Sequence, residues 1–133
     1  MTAVFADTFY FLALTNPRDQ AHGDAVAWTQ GFSGKMLTTS WVLTEFADAM
    51  SDPRNRMEFV STLRDLQANP QMQIVEPDPQ LFDAGVRLYG SRPDKGWSLT
   101  DCISFVVMQR EGITDALTGD HHFEQAGFVA LLQ

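Results

Sequence analysis

Short apolar runs alternate along this chain with stretches patterned for helices. The opening run, roughly residues 2–6, is apolar and partly β-branched and reads as a buried strand ending at Asp7. Phe9 to Leu14 predicts a short helix, stopped before Asn16-Pro17 because a residue preceding proline is driven out of the α region. From Pro17 to about Phe32, Ala21, Ala25, Val26 and Trp28 recur at helical spacing, and Gly31 and Gly34 close the segment. Lys35 to Thr39 reads as a second strand. Ser40 is the expected N-cap of a helix from Trp41 to about Met50, with Leu43, Ala47 and Met50 on one stripe.

Asp52-Pro53 opens the next predicted helix, which turns Phe59, Leu63 and Leu66 inward and stops at Asn69-Pro70. Gln71 to Val75 is a third strand. Pro77 to Pro79 leads into a helix with Leu81, Ala84, Val86 and Leu88 inward. After a loop from Gly90 to Gly96, Ser98-Leu99-Thr100-Asp101 has capping-box spacing, with Asp101 in the place usually held by glutamate. The helix it opens runs through Ile103, Val106, Val107 and Arg110 and ends at Gly112. Ile113 to Thr118 and Phe128 to Leu132 complete the pattern as fourth and fifth strands. Strands alternating with helices predict an α/β fold around a mainly parallel sheet of about five strands. With no repeat, linker or low-complexity tract, residues 1–133 read as a single domain.

Composition excludes several classes. Apolar residues make up 44% and charged residues 20%, a globular rather than disordered balance. No apolar run is long enough to span a bilayer. The N-terminus has no basic region and meets an acid at Asp7, so no signal peptide is expected and a cytoplasmic location is. The single cysteine, Cys102, fits a reducing compartment. A formal net charge of -8, with 17 acids against 9 bases, argues against a nucleic-acid partner. Two groups of bases stand apart, Arg54, Arg56 and Arg64, and Arg87, Arg92 and Lys95. Each is either a solvated helix face or a substrate rim.

Four acids change the meaning of that charge. Asp7, Glu45, Asp101 and Asp120 each stand at or near the end of a predicted element. Ligands of open parallel sheets bind at the carboxyl ends of strands, and all four can reach one such edge. Carboxylates brought together repel until a cation binds. Their hard oxygens suit Mg²⁺ or Mn²⁺. Two such ions would offset about half of the acidic excess and support in-line displacement at phosphorus without a side-chain nucleophile. Each acid also has a bland role: Asp101 answering a helix dipole, Asp7 and Asp120 in loop or Asx turns, Glu45 on a helix surface.

The words around these acids narrow the choice. Phe5-Ala6-Asp7-Thr8, Leu43-Thr44-Glu45-Phe46, Ser98 to Phe105, and Ala116 to Phe123 followed by Ala126-Gly127-Phe128 occur in this order. The chain resembles the PIN-domain nucleases over residues 3 to about 130, and in particular the VapC-type toxins of toxin–antitoxin pairs. The resemblance implies a three-layer α/β/α sandwich and Mg²⁺- or Mn²⁺-dependent endoribonuclease activity. It places the metal-binding acids on Asp7, Glu45, Asp101 and Asp120, with Thr118 in a supporting position. It also implies a homodimer and a small antitoxin whose tail covers the acidic site. Thr8, beside the first acid, is a candidate to hold a ligand water or phosphate. Asp115 is a further candidate, although its place within a strand allows the opposite end of the sheet. His121 and His122 suggest zinc, but no third nitrogen or sulfur ligand is spaced to complete a tetrahedral site, and His122 reads as fixing its loop.

Other functions compete. A PIN nuclease that is not a toxin, or a catalytically weak PIN-like module binding RNA or protein, has the same outline. A receiver domain needs paired acids after the first strand and a lysine near the last, and neither is found here. A haloacid-dehalogenase-like phosphatase needs a second aspartate where Phe9 stands.

Overall fold

The computed structural model describes residues 3–133; the part of the expected first strand that falls on Thr2 lies outside them. Five strands, β1 (Val4–Ala6), β2 (Met36–Thr39), β3 (Met72–Val75), β4 (Asp115–Leu117) and β5 (Val129–Ala130), form one sheet in the order β3-β2-β1-β4-β5. Every pairing is parallel. The helices are α1 (Thr8–Thr15), α2 (His22–Gly31), α3 (Ser40–Ala49), α4 (Arg56–Ala68), α5 (Pro79–Ser91), α6 (Leu99–Glu111) and α7 (His121–Gln125). The expected α/β fold and its five parallel strands are thus present.

β1 is buried at every residue, as a central parallel strand covered on both faces should be. Parallel strands need right-handed crossovers. The chain moves outward from β1 to β3 and then crosses back to β4 and β5, so the crossover helices divide between the two faces. The aromatic side chains divide in the same way. Phe11 stacks on Phe46, which meets Phe59 edge-on, joining α1, α3 and α4. Phe105 meets Trp97, Phe123 and Phe128, and Phe123 reaches Phe5 of β1. α6 carries buried residues around most of its circumference, including Cys102, Ile103, Phe105 and Met108, which makes it a core helix.

Several boundaries differ from expectation for one recurring reason. The helix expected from Pro17 begins at His22, because Asn16 Oδ1 and Asp19 Oδ1 accept from the backbone N–H of Arg18 and Ala21 and hold the chain in Asx turns. Asp52 does the same to Arg54, so α4 starts at Arg56 rather than at Asp52-Pro53. Thr39, not Ser40, caps α3, its Oγ1 accepting from Val42 N at 3.1 Å. On α5 the inward stripe is Leu81, Ala84, Gly85 and Leu88, and Val86, expected inward, is exposed. β4 and β5 are shorter than expected, and α7, five residues long, was not foreseen.

The exchange of Val86 for Gly85 marks the tightest helix contact. A Cβ at Gly85 would lie 2.4 Å from Ile103 Cγ1 and 3.4 Å from its backbone Cα. The core cannot yield there, because Ile103 is itself fully buried. Gly85→Ala is therefore expected to destabilise the fold by about 1–3 kcal/mol despite alanine's better helix propensity. Urea unfolding measures this, and an equal or higher midpoint would show that α5 and α6 can separate freely.

Candidate active site

The strand order reverses direction between β1 and β4, and at such a switch point the carboxyl ends of the two strands leave a crevice. Asp7 follows the last residue of β1, and Thr118 follows the last residue of β4. Ala6 pairs with Leu117, which sets these two residues level. Thr118 Oγ1 donates to Asp7 Oδ2 at 2.8 Å and accepts from Asp120 N at 3.0 Å. Thr118 thus bridges the first and last acids.

Asp101 enters from the N-terminus of α6. The capping box is complete: Asp101 N donates to Ser98 Oγ at 3.0 Å and Ser98 N to Asp101 Oδ2 at 3.2 Å. The cap does not consume the carboxylate. His122 Nδ1 lies 3.3 Å from Asp101 Oδ2 and 3.4 Å from Asp120 Oδ1, so one imidazole ties the two acids together. Asp120 is the N-cap of α7, accepting from His122 N at 2.9 Å. Glu45, half-buried on α3, accepts from Thr8 Oγ1 at 2.5 Å. The one proton of the Thr8 hydroxyl is given to Glu45, which leaves its oxygen to accept from a water.

Burial and mutual repulsion shape these acids. Asp7 is 4% exposed, and its carboxyl is pushed up to about 7. Burial is the largest cause; the charges of Asp101 and Glu45 add to it, and hydrogen bonds from Thr118 and the Thr8 backbone oppose it. Asp101 is raised as well, first by burial and then by Asp120, against the Ser98 backbone and His122. Asp7 thus feels the charges of Asp101 and Glu45, and Asp101 that of Asp120. Among the described residues, no lysine or arginine forms an ion pair with any of them.

Asp115 stands elsewhere. It opens β4, level with Val129, about 10 Å along the strand from Thr118. A parallel strand carries its first residue to the edge opposite the crevice, so the structure separates Asp115 from the four acids. Trp97 is buried, its indole N–H donating to Gln125 at 3.0 Å, and is a core residue. Sequence reasoning missed the link His122 makes to Asp101; its only local signal was the imidazole two residues after Asp120.

Gly119 shapes the loop between Thr118 and Asp120. A Cβ there would lie 2.5 Å from Phe9 Cζ and 2.9 Å from two further ring carbons, so only glycine admits the ring beneath the loop.

The model of the PIN domain matches residues 4–129. The chain belongs to the PIN-domain family. It is 25% identical over 126 residues to the 23S rRNA-specific endonuclease VapC20 of Mycobacterium tuberculosis, covering 95% of each chain. The crystal structure of that VapC20, titled a sarcin-ricin loop cleaving toxin, superposes with a TM-score of 0.86 at 24% identity, covering 95% of this chain and 96% of that one. VapBC2 from Rickettsia felis, solved bound to a DNA fragment from its promoter, has a TM-score of 0.66 at 14% identity over 97% of this chain and 96% of that one. FitAcB from Neisseria gonorrhoeae has a TM-score of 0.67 at 16% identity over 96% and 94%. The chain is thus a PIN domain homologous to a VapC endonuclease, with the PIN-like fold of VapC structures. Among the described residues, no helix is long and apolar enough to cross a membrane.

By donor type the four acids suit a hard divalent cation, while the ligand atoms already within 4.8 Å of one another are those of Asp120, His121 and His122. All four donors are carboxylates, and the most buried of them, Asp7, is costly to ionise while no cation faces it.

Proposed function

We propose that this protein is a Mg²⁺- or Mn²⁺-dependent endoribonuclease that hydrolyses RNA phosphodiester bonds as the toxin of a toxin–antitoxin pair. One observation carries the reading: a buried aspartate, Asp7, stands beside the sheet's switch point under the charges of Asp101 and Glu45 and, among the described residues, has no ion-pair partner. The homology to a VapC endonuclease supports it.

Asp7, Glu45, Asp101 and Asp120 would hold the divalent ion. Bound there, the ion supplies activation of water and stabilisation of charge developing at the phosphoryl group. The chain's own residues do the positioning. Thr118 fixes the Asp7 carboxylate through Oγ1, and Thr8 fixes Glu45. The Ser98 cap holds Asp101 at the start of α6, whose N-terminal dipole favours negative charge. His122 sets the spacing of Asp101 and Asp120. The partners in this reading are an RNA substrate, a second copy of the chain, and an antitoxin whose Arg- or Lys-bearing tail is drawn to the acids. The setting is the cytoplasm.

Expression of wild type and Asp101→Asn in bacteria tests the proposal. Growth arrest is expected from the wild type alone, and purified wild type is expected to cleave RNA with Mg²⁺ or Mn²⁺ and not in EDTA. Cleavage undiminished by EDTA would overturn the metal mechanism. Cleavage in vitro with harmless expression would favour a PIN nuclease that is not a toxin.

A further inference from the structure

The geometry beside the acid cluster points to a second kind of metal chemistry. Asp120, His121 and His122 each present a ligand atom, all within 4.8 Å of one another. His121 Nδ1 lies 3.6 Å from Asp120 Oδ1, and His122 Nδ1 lies 3.4 Å from the same oxygen and 3.3 Å from Asp101 Oδ2. These separations are long for hydrogen bonds between nitrogen and oxygen, which centre on about 2.9–3.0 Å. A single Nδ1 proton also cannot be aimed at two carboxylates at once. These three separations match neighbouring ligands around a tetrahedral ion, where bonds of about 2.0–2.2 Å set ligand atoms about 3.3–3.6 Å apart, while Asp101 stands outside the 4.8 Å group and joins it only through His122.

We infer that His121, His122 and Asp120 form a mixed imidazole–carboxylate site for Zn²⁺, that Asp101, in contact with His122, moves in to complete it when the ion binds, and that zinc held there opposes magnesium-dependent cleavage. Imidazole suits zinc, whereas magnesium prefers oxygen ligands and keeps its waters. Along the chain the two histidines lack a further nitrogen or sulfur ligand; the fold supplies Asp101 instead, from the first turn of α6. The His121 side chain is 67% exposed and that of Asp101 10%, so the site has an open side for ion entry and a buried floor. Asp101 and Asp120 cannot serve two ions of different geometry at full strength. Zinc on the histidine side therefore withdraws both carboxylates from Asp7 and Glu45. The inhibitory half of this inference rests on the nuclease reading; the binding half does not.

Zn²⁺ alone, and Co²⁺ alone as its spectroscopic stand-in, are titrated into the metal-free full chain by calorimetry and visible absorption. Wild type is compared with His121→Ala and with the double variant His121→Ala/His122→Gln. Wild type should bind zinc and show the intense visible band of four-coordinate cobalt, with Mg²⁺ weakening the apparent zinc affinity. His121→Ala should weaken zinc binding by at least about tenfold, and the double variant should lose the cobalt band. His121 projects into solvent, so its single variant remains a fair test if the double variant misfolds. A weak, six-coordinate cobalt spectrum, or zinc affinity unchanged in His121→Ala, places the ion on carboxylates alone and overturns the inference. Absent zinc binding with intact Mg²⁺-dependent cleavage overturns this site and leaves the nuclease reading standing. Zinc binding as expected in a chain that never cleaves RNA supports the site, and the nuclease reading is then what fails.

Discussion

Replacing Asp7 by asparagine is expected to lower Mg²⁺-dependent RNA cleavage by roughly 10²–10³-fold or more while making the metal-free protein more stable. The two effects have one cause. Asp7 sits 4% exposed at the end of β1, where burial and the charges of Asp101 and Glu45 disfavour its ionised form. Asparagine keeps the shape, and its amide oxygen can still accept from Thr118 Oγ1. The negative charge that would hold a cation is gone. At pH 8, where the wild-type carboxylate is ionised at a cost, the variant should gain about 1–3 kcal/mol. Single-turnover cleavage reads the first effect and urea unfolding in EDTA the second. An active variant would remove Asp7 from the proposed site. An inactive but less stable one would show that Asp7 is a structural anchor rather than a residue kept for function against the interest of the fold.

A milder loss should follow from Gly119→Ala. The added methyl would strike the Phe9 ring and push the loop that carries Thr118 and Asp120 away from Asp7. Cleavage is expected to fall by about tenfold or more, with global stability changed far less than in Gly85→Ala. Unchanged cleavage would mean that Phe9 turns aside and that the loop's position is not set by this contact.

How much of this was legible in the chain depends on the range of the interactions. The Ser98 cap and Asp101 are neighbours in sequence, so their hydrogen bonds could be foreseen from spacing alone. The parallel sheet followed from alternating patterns, because parallel strands must be joined by crossovers. The bond from Thr118 to Asp7 spans 111 residues and no local pattern encodes it. Nor does any pattern select Asp7, Glu45, Asp101 and Asp120 from 17 acids; the family-like words around them did so. Asp115 illustrates the limit. It lies three residues before Thr118, yet strand direction puts it at the other edge of the sheet. The misplaced helix starts at Pro17 and Asp52 have a different origin. Asn16, Asp19 and Asp52 act as turn residues, their side chains accepting from the backbone two residues on. Hydrophobicity alone turns Val86 inward, and helical geometry gives that place to Gly85.

Without divalent ions the protein should be more stable near pH 5 than at pH 8, the reverse of what paired carboxylates usually produce. Asp7 has a pKa of about 7 in the fold, against an ordinary 3.8. Between these values the folded chain holds a proton that the unfolded chain has released. The unfolded state therefore binds fewer protons, and stability falls as pH rises through this window. Asp101, raised for the same leading reason, acts in the same direction. Between pH 5 and 8 Asp7 accounts for at most about 3 kcal/mol, enough to lower Tm by roughly 5–15 °C across the range. Mg²⁺ or Mn²⁺ should recover much of this at pH 8, since an ion bound by the folded state alone stabilises it. Asp7→Asn should flatten the pH profile and shrink the metal response. Thermal unfolding from pH 5 to 8, in EDTA and in millimolar Mg²⁺, gives the four profiles needed. A wild type whose metal-free stability rises toward pH 8 would show that the Asp7 carboxylate is not held ionised at a cost in the fold, and with that the case for a cation relieving it at the switch point would fall.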